Sequence, residues 1–170
     1  MEASFMAKDF SFDIVSDYDV AEMTNGVNQA QRELGTRYDF KGTSAKLEFG
    51  EDKTSVNIEG DTKNQLDAVL DMLQSKLVKR GVSLKVLDIS TVPVQGGKEM
   101  RWNIPFIKGL DQDKAKQITK IIREEFPKVK TQIQGDSVRV SATAKDDLQG
   151  VMAILRTKEL DFPIDFQNYR

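Results

Sequence analysis

Apolar and polar residues alternate, then recur at helical spacing, in an order that runs twice along the chain. Phe10, Phe12 and Ile14 alternate with Ser11, Asp13 and Val15, which predicts a short strand. Val20, Met23, Val27, Ala30 and Leu34 recur three and four apart, the stripe of an amphipathic helix, with Ser16 and Asp17 as its expected caps. Leu47 and Phe49 begin a strand, Gly50–Lys53 is a hairpin turn, and Val56 and Ile58 return. Leu66, Val69, Leu70, Leu73 and Leu77 form a second stripe, stopped by Lys79-Arg80-Gly81. Leu84 and Val86 predict a fourth strand.

Residues 93–97, with Pro93, Gly96 and Gly97, read as a linker, and the order then repeats. Met100–Ile107 is a strand with Pro105 near its end. Ala115, Ile118, Ile122 and Phe126 mark a helix. Val129–Ile133 and Val138–Val140 flank the turn at Gly135-Asp136. Leu148, Val151 and Leu155 mark another helix, and Ile164 and Phe166 the last strand. At an offset of 82, Ser55–Ile58 matches Ser137–Val140, and Leu66, Val69 and Leu73 match Leu148, Val151 and Leu155. We read a tandem duplication of a βαββαβ unit: copies at 10–92 and 98–170, and an N-terminal extension over 1–9 in which Met6 offers a second start. The fold class is α+β. Each copy forms a four-stranded antiparallel sheet with two helices on one face.

Such a unit leaves its other sheet face open. Alternation places Arg101, Asn103, Lys130, Gln132, Gln134, Arg139 and Ser141 there in the second copy. In the first it places Ser11, Asp13, Lys46, Glu48, Asn57 and Glu59. Amides hydrogen-bond base edges and arginines take phosphate, so the second face is a nucleotide candidate; a solvated sheet, or one covered by a domain or subunit, is the alternative. Neither Thr54–Gly60 nor Ser137–Ala142 holds an aromatic, which argues against the usual stacking mode of RNA recognition. Trp102 falls with the core residues by alternation; a bulge before Pro105 would turn it outward.

The stretch Thr36-Arg37-Tyr38-Asp39-Phe40-Lys41-Gly42 joins helix to strand with two cations, two aromatics and a glycine. That mixture suits a nucleotide: Arg37 and Lys41, with Arg101 and Arg139, for phosphate; Tyr38 or Phe40 to stack on a base; Gln132 and Gln134 for base edges. The alternative is a plain connection whose aromatics pack inward.

Charge sharpens this reading slightly. Residues 1–92 hold 11 Lys/Arg against 16 Asp/Glu, whereas 93–170 hold 14 against 11, so the second half is better suited to phosphates. The chain has no Cys and no His, which removes disulfides, thiol chemistry and the commonest acid/base and metal ligand. No phosphate-binding loop or nucleophile elbow is present. Asp111/Asp113 and Asp146-Asp147 sit at helix starts, where carboxylates complement the dipole. No catalytic or metal residue is assigned, and no cofactor. With no apolar run near ~18 residues and no signal peptide, the expectation is a cytoplasmic protein without a membrane span.

Five motifs carry a family resemblance: Ser11-Phe12-Asp13-Ile14-Val15-Ser16, the 36–42 stretch, Gln132–Val140, Asp146-Asp147-Leu148-Gln149, and Phe162–Arg170. Together they resemble the YajQ family from about residue 8 onward. The resemblance implies two RNP-like (ferredoxin-like) domains, an exchange of N-terminal strands between the sheets being one arrangement. It also implies a bacterial, non-enzymatic protein that binds purine nucleotides, cyclic di-GMP or tRNA and meets a partner such as a transcription factor. One departure stands out. After Val140 the family tends to continue with a glycine and a basic run; here the residues are Ser141-Ala142-Thr143-Ala144-Lys145, which leaves fewer cations for phosphate.

Overall fold

A computed structural model describes residues 9–170. The expected second start at Met6, and all of the 1–9 extension but Asp9, lie outside the described residues. The chain forms two compact units: the described chain up to Asp17 with Lys108–Arg170, and Tyr18–Ile107.

The Tyr18–Ile107 unit contains α1 (Val20–Thr36), β2 (Lys46–Phe49), β3 (Ser55–Gly60), α2 (Lys63–Lys79), β4 (Val94–Gly96) and β5 (Glu99–Pro105). Its antiparallel sheet has the order β2-β3-β5-β4. The other unit contains β1 (Phe10–Val15), α3 (Gln112–Glu125), β6 (Lys130–Gln134), β7 (Ser137–Ala142), α4 (Lys145–Thr157) and β8 (Asp165–Gln167), with the order β6-β7-β1-β8. Each repeat's first strand therefore sits in the middle of the other repeat's sheet. β1 pairs Phe12 with Val140 and Ile14 with both Val138 and Phe166. β5 pairs Ile58 with Trp102 and Val56 with Ile104. The sequence repeats are both contiguous; of the compact units only Tyr18–Ile107 is, and the other joins two separate segments of the chain.

In the Tyr18–Ile107 unit, strand residues Leu47, Val56, Ile58 and Ile104 share one core with the helix residues Met23 and Leu66. Both helices thus cover the same sheet face and leave the other open. The α1 cap differs from expectation. Asp19, not Ser16 or Asp17, accepts from the Glu22 N–H at 3.1 Å, while the Ser16 carbonyl accepts from Gly109 N–H at 2.6 Å. For α3, the Asp111 carboxylate accepts from Lys114 N–H; Asp146 and Asp147 lie in the first turn of α4.

Two local readings are corrected. Leu84–Val86 is a 3₁₀ turn, not a strand. The Ser83 hydroxyl takes the Lys85 N–H, which a sheet ladder would otherwise use, while Val86 enters the core and Leu84 stays partly exposed. The fourth strand is instead β4, inside the stretch read as a linker, turned back onto β5 through Gly97 at φ +63°.

Trp102 is buried, as alternation favours. Its Nε1–H donates to the Thr91 carbonyl at 3.0 Å and to Thr91 Oγ1 at 2.9 Å, and Lys63 Nζ lies 5.3 Å from its ring centre. Trp102→Phe should keep the fold and cost about 1 kcal/mol, because the Thr91 acceptors lose their donor. A urea midpoint equal to that of the parent would contradict this.

Candidate functional site

The 36–42 stretch gets its shape from the end of α1. Arg37 leaves the helix with extended dihedrals while its N–H still reaches the Glu33 carbonyl at 3.0 Å. Tyr38–Phe40 makes one 3₁₀ turn, closed by Thr43 Oγ1 donating to the Phe40 carbonyl at 2.7 Å, and Gly42 follows at φ +76°. That single turn sends the two aromatics to opposite sides. Phe40 packs in the core, which leaves Tyr38 as the more open of the two candidate stacking rings. Tyr38 is 84% exposed, with Lys41 Nζ 5.7 Å from its ring centre.

Beside them lies a groove of about 340 Å³ between the end of α1 and β2. Leu34, Phe40 and Leu47 give it apolar lining; Arg37, Lys41 and Lys46 supply cations. Arg37 is not unopposed. It holds Asp39 in a bidentate pair, Nε–Oδ1 3.1 Å and Nη2–Oδ2 2.8 Å, with Glu33 at 3.8 Å. Hydrogen bonding from Arg37 in turn pulls the Asp39 carboxyl below its ordinary range. Lys46 pairs with Glu48 at 3.1 Å. Among the described residues, Lys41 has no acidic partner within 4 Å. A phosphate entering here meets one available cation and two that must exchange a carboxylate for it.

Arg101 belongs to the same unit but to the open sheet face, where its Nε meets Glu59 at 3.1 Å. Gln132, Gln134 and Arg139 lie on the open face of the other sheet. Gln132 and Arg139 are register partners and line a recess of about 420 Å³ with Asp9, Lys130 and Ser141; Gln134 stands one row further on, opposite Ser137. The eight residues singled out in the sequence thus fall on two surfaces of the Tyr18–Ile107 unit and on one sheet face of the other unit.

Arg139 is also engaged. Its Nε donates to Asp13 Oδ1 at 3.0 Å, and Asp13 Oδ2 accepts from Asn168 Nδ2 at 2.8 Å. Asp13 is buried, and the bond from Arg139 holds its carboxyl below the ordinary value. Sequence reasoning placed Asp13 on the other repeat's face and missed this pair, which exists because β1 is exchanged. It also missed Lys46 as a groove residue; the signal was its place at the start of the edge strand β2.

Comparison with known proteins bears on what these surfaces are for. The family model described as nucleotide-binding protein YajQ-like matches residues 10–170. The chain belongs to the YajQ-like family. Among YajQ-like relatives, a protein of Thermobifida fusca named "Nucleotide-binding protein" is 50% identical over 166 residues, 97% of this chain and 100% of its own. Relatives with the same name from Trichodesmium erythraeum and Streptomyces griseus are 46% and 47% identical, over 97% and 95% of this chain and 100% and 99% of their own. The YajQ-like assignment covers both units and all the motifs noted above.

Proposed function

We propose that the chain is a non-enzymatic binder of a purine nucleotide or dinucleotide, of the cyclic di-GMP, GTP or ATP class, in the groove beside Tyr38. The observation that carries this is a groove lined by Leu34, Phe40 and Leu47 with Arg37, Lys41 and Lys46 as its cations, one of which, Lys41, also lies 5.7 Å from the centre of the exposed Tyr38 ring. The naming of the relatives as nucleotide-binding proteins supports the class. A volume of about 340 Å³ lies within the ~300–1,000 Å³ of small-ligand sites. In this reading Tyr38 stacks on the base, Lys41 takes the first phosphate, and Arg37 turns from Asp39 to a second. The bound state is then read by a protein partner, a transcription factor being the kind the family resemblance implies, in the cytoplasm.

Calorimetric titration with cyclic di-GMP, GTP and ATP tests this. Tyr38→Ala and Lys41→Ala should each weaken the preferred ligand about tenfold, since one stacked base contributes ~1–3 kcal/mol. Unchanged affinity in both variants would sink the assignment. A second reading, binding of tRNA or another single-stranded RNA, is favoured by the recess holding Lys130, Gln132 and Arg139, with Gln134 beside it. It predicts that log affinity for RNA falls with log salt at a slope of about −0.7 per phosphate contact.

A further inference from the structure

The open face of the Tyr18–Ile107 sheet carries its own recess, about 400 Å³, on the other side of β2 from the groove. Cross-strand register builds it. One row runs Lys46, Glu59, Arg101, Val94, and the next runs Glu48, Asn57, Asn103. Each cation in it already has a carboxylate, Lys46–Glu48 and Arg101–Glu59 both at 3.1 Å. The site is therefore close to electroneutral and ill suited to a phosphate group. At its centre the Asn103 amide donates to Asn57 Oδ1 at 2.7 Å and to Ser55 Oγ at 3.2 Å. Both protons of that amide are then used, but Asn103 Oδ1 and the Asn57 NH₂ have no partner among the described residues. An acceptor and a pair of donors thus belong to two cross-strand register partners that line one recess, and Val94, 65% exposed, gives it an apolar wall.

We propose that this recess is a second site, for the uncharged ring of a nucleobase whose edge carries a donor beside an acceptor, as the amino group and N7 of adenine do. The Asn57 NH₂ donates to the ring nitrogen, Asn103 Oδ1 accepts from the amino group, and Val94 packs against the ring. The proposal goes beyond the groove reading and does not rest on it. The same edge reaches the site as a free nucleoside or as one base of a strand.

The experiment titrates the full chain, ¹⁵N-labelled, with adenosine, with a riboadenosine hexamer, and with purine riboside, which lacks the amino group. Adenosine should move the side-chain amide signals of Asn57 and Asn103. Asn57→Ser and Asn103→Ser, both at exposed positions, should weaken it about tenfold, as should the loss of the amino group. A hexamer more than tenfold tighter than adenosine identifies a strand as the source, and equal affinity identifies the nucleoside; either upholds the site. Tyr38→Ala should leave the adenosine shifts intact, which separates this site from the groove. The proposal is overturned if adenosine leaves both carboxamide signals unmoved, if purine riboside binds as well, or if both serine variants bind like the parent with unchanged melting temperature.

Discussion

A fragment spanning residues 18–107 should fold on its own, and a fragment spanning 98–170 should not. The first contains every strand of its sheet in one continuous segment, including the central β5. The second contains β5, which pairs with β3 and β4, but lacks β1, on which β7 and β8 both depend. Without β1, the β8 strand has no neighbour and Phe12 and Ile14 are missing from the core. Both side chains are fully buried, and each contributes about 2–3 kcal/mol of burial. Their sum matches a large part of the net stability of a unit this size, about 4–11 kcal/mol. The expected result is a cooperative thermal transition and dispersed amide spectrum for 18–107, and neither for 98–170. Adding a peptide of residues 9–17 to a 108–170 fragment should restore the spectrum. A cooperative transition in the 98–170 fragment alone would show that β1 is dispensable and the exchange incidental.

That experiment targets what the sequence could not express. Alternation at Phe10–Val15 makes one face apolar, and either sheet accepts such a strand in its central place. The duplication at offset 82 was legible because Val56 and Val138, and the helices after them, keep the same register in both copies. It correctly made β3 and β7 equivalent, each beside its hairpin partner and a central strand. It said nothing of which copy donates that strand; here only the family resemblance raised exchange. The misplaced fourth strand has a simpler origin. Ser83-Leu84-Lys85-Val86 alternates over four residues, too short to separate a strand from a 3₁₀ turn with one side chain inward.

The site was legible in residue type and not in pairing. Of the four cations chosen for phosphate, three are held by carboxylates: Arg37 by Asp39, Arg101 by Glu59, Arg139 by Asp13. Alternation gives the face a side chain occupies, but its charge partner comes from the neighbouring strand or turn. For Arg139 that partner lies 126 residues away. Lys41 follows the 3₁₀ turn, where its Nζ lies 5.7 Å from the Tyr38 ring centre and, among the described residues, has no carboxylate partner. The same turn explains why Tyr38 and Phe40, indistinguishable as stacking candidates in sequence, have opposite fates.

Asp13→Ala should lower the stability of the unit that contains it by about 3 kcal/mol near neutral pH. The truncation removes two charge-assisted hydrogen bonds and leaves the Arg139 guanidinium and the Asn168 amide without their acceptor. The figure sits at the low end for a broken buried pair because the Arg139 side chain, 35% exposed, still reaches water. Asn168 adopts φ +54°, and just beyond it Arg170 exchanges backbone hydrogen bonds with Ser11, so the loss should loosen the C-terminal residues first. The pH dependence follows from the same contacts. The Asp13 carboxyl is held below its ordinary 3.8, chiefly by the bond from Arg139. Its contribution is therefore fully present above the ordinary carboxylate value and is lost as pH falls through the depressed one. Among the described residues the other carboxyls held low, Glu33, Asp39 and Asp52, belong to the Tyr18–Ile107 unit, so the two units should report separate acid responses. Hydrogen exchange of the β7 and β8 amides, followed from pH 7 downward, reads the Asp13 response directly. Asp13→Asn, which keeps one acceptor oxygen, should retain more stability than Asp13→Ala while removing much of the acid dependence. A loss below about 0.5 kcal/mol in the alanine variant, or an acid response unchanged in the asparagine variant, would mean that the pair orders the open face without stabilising it.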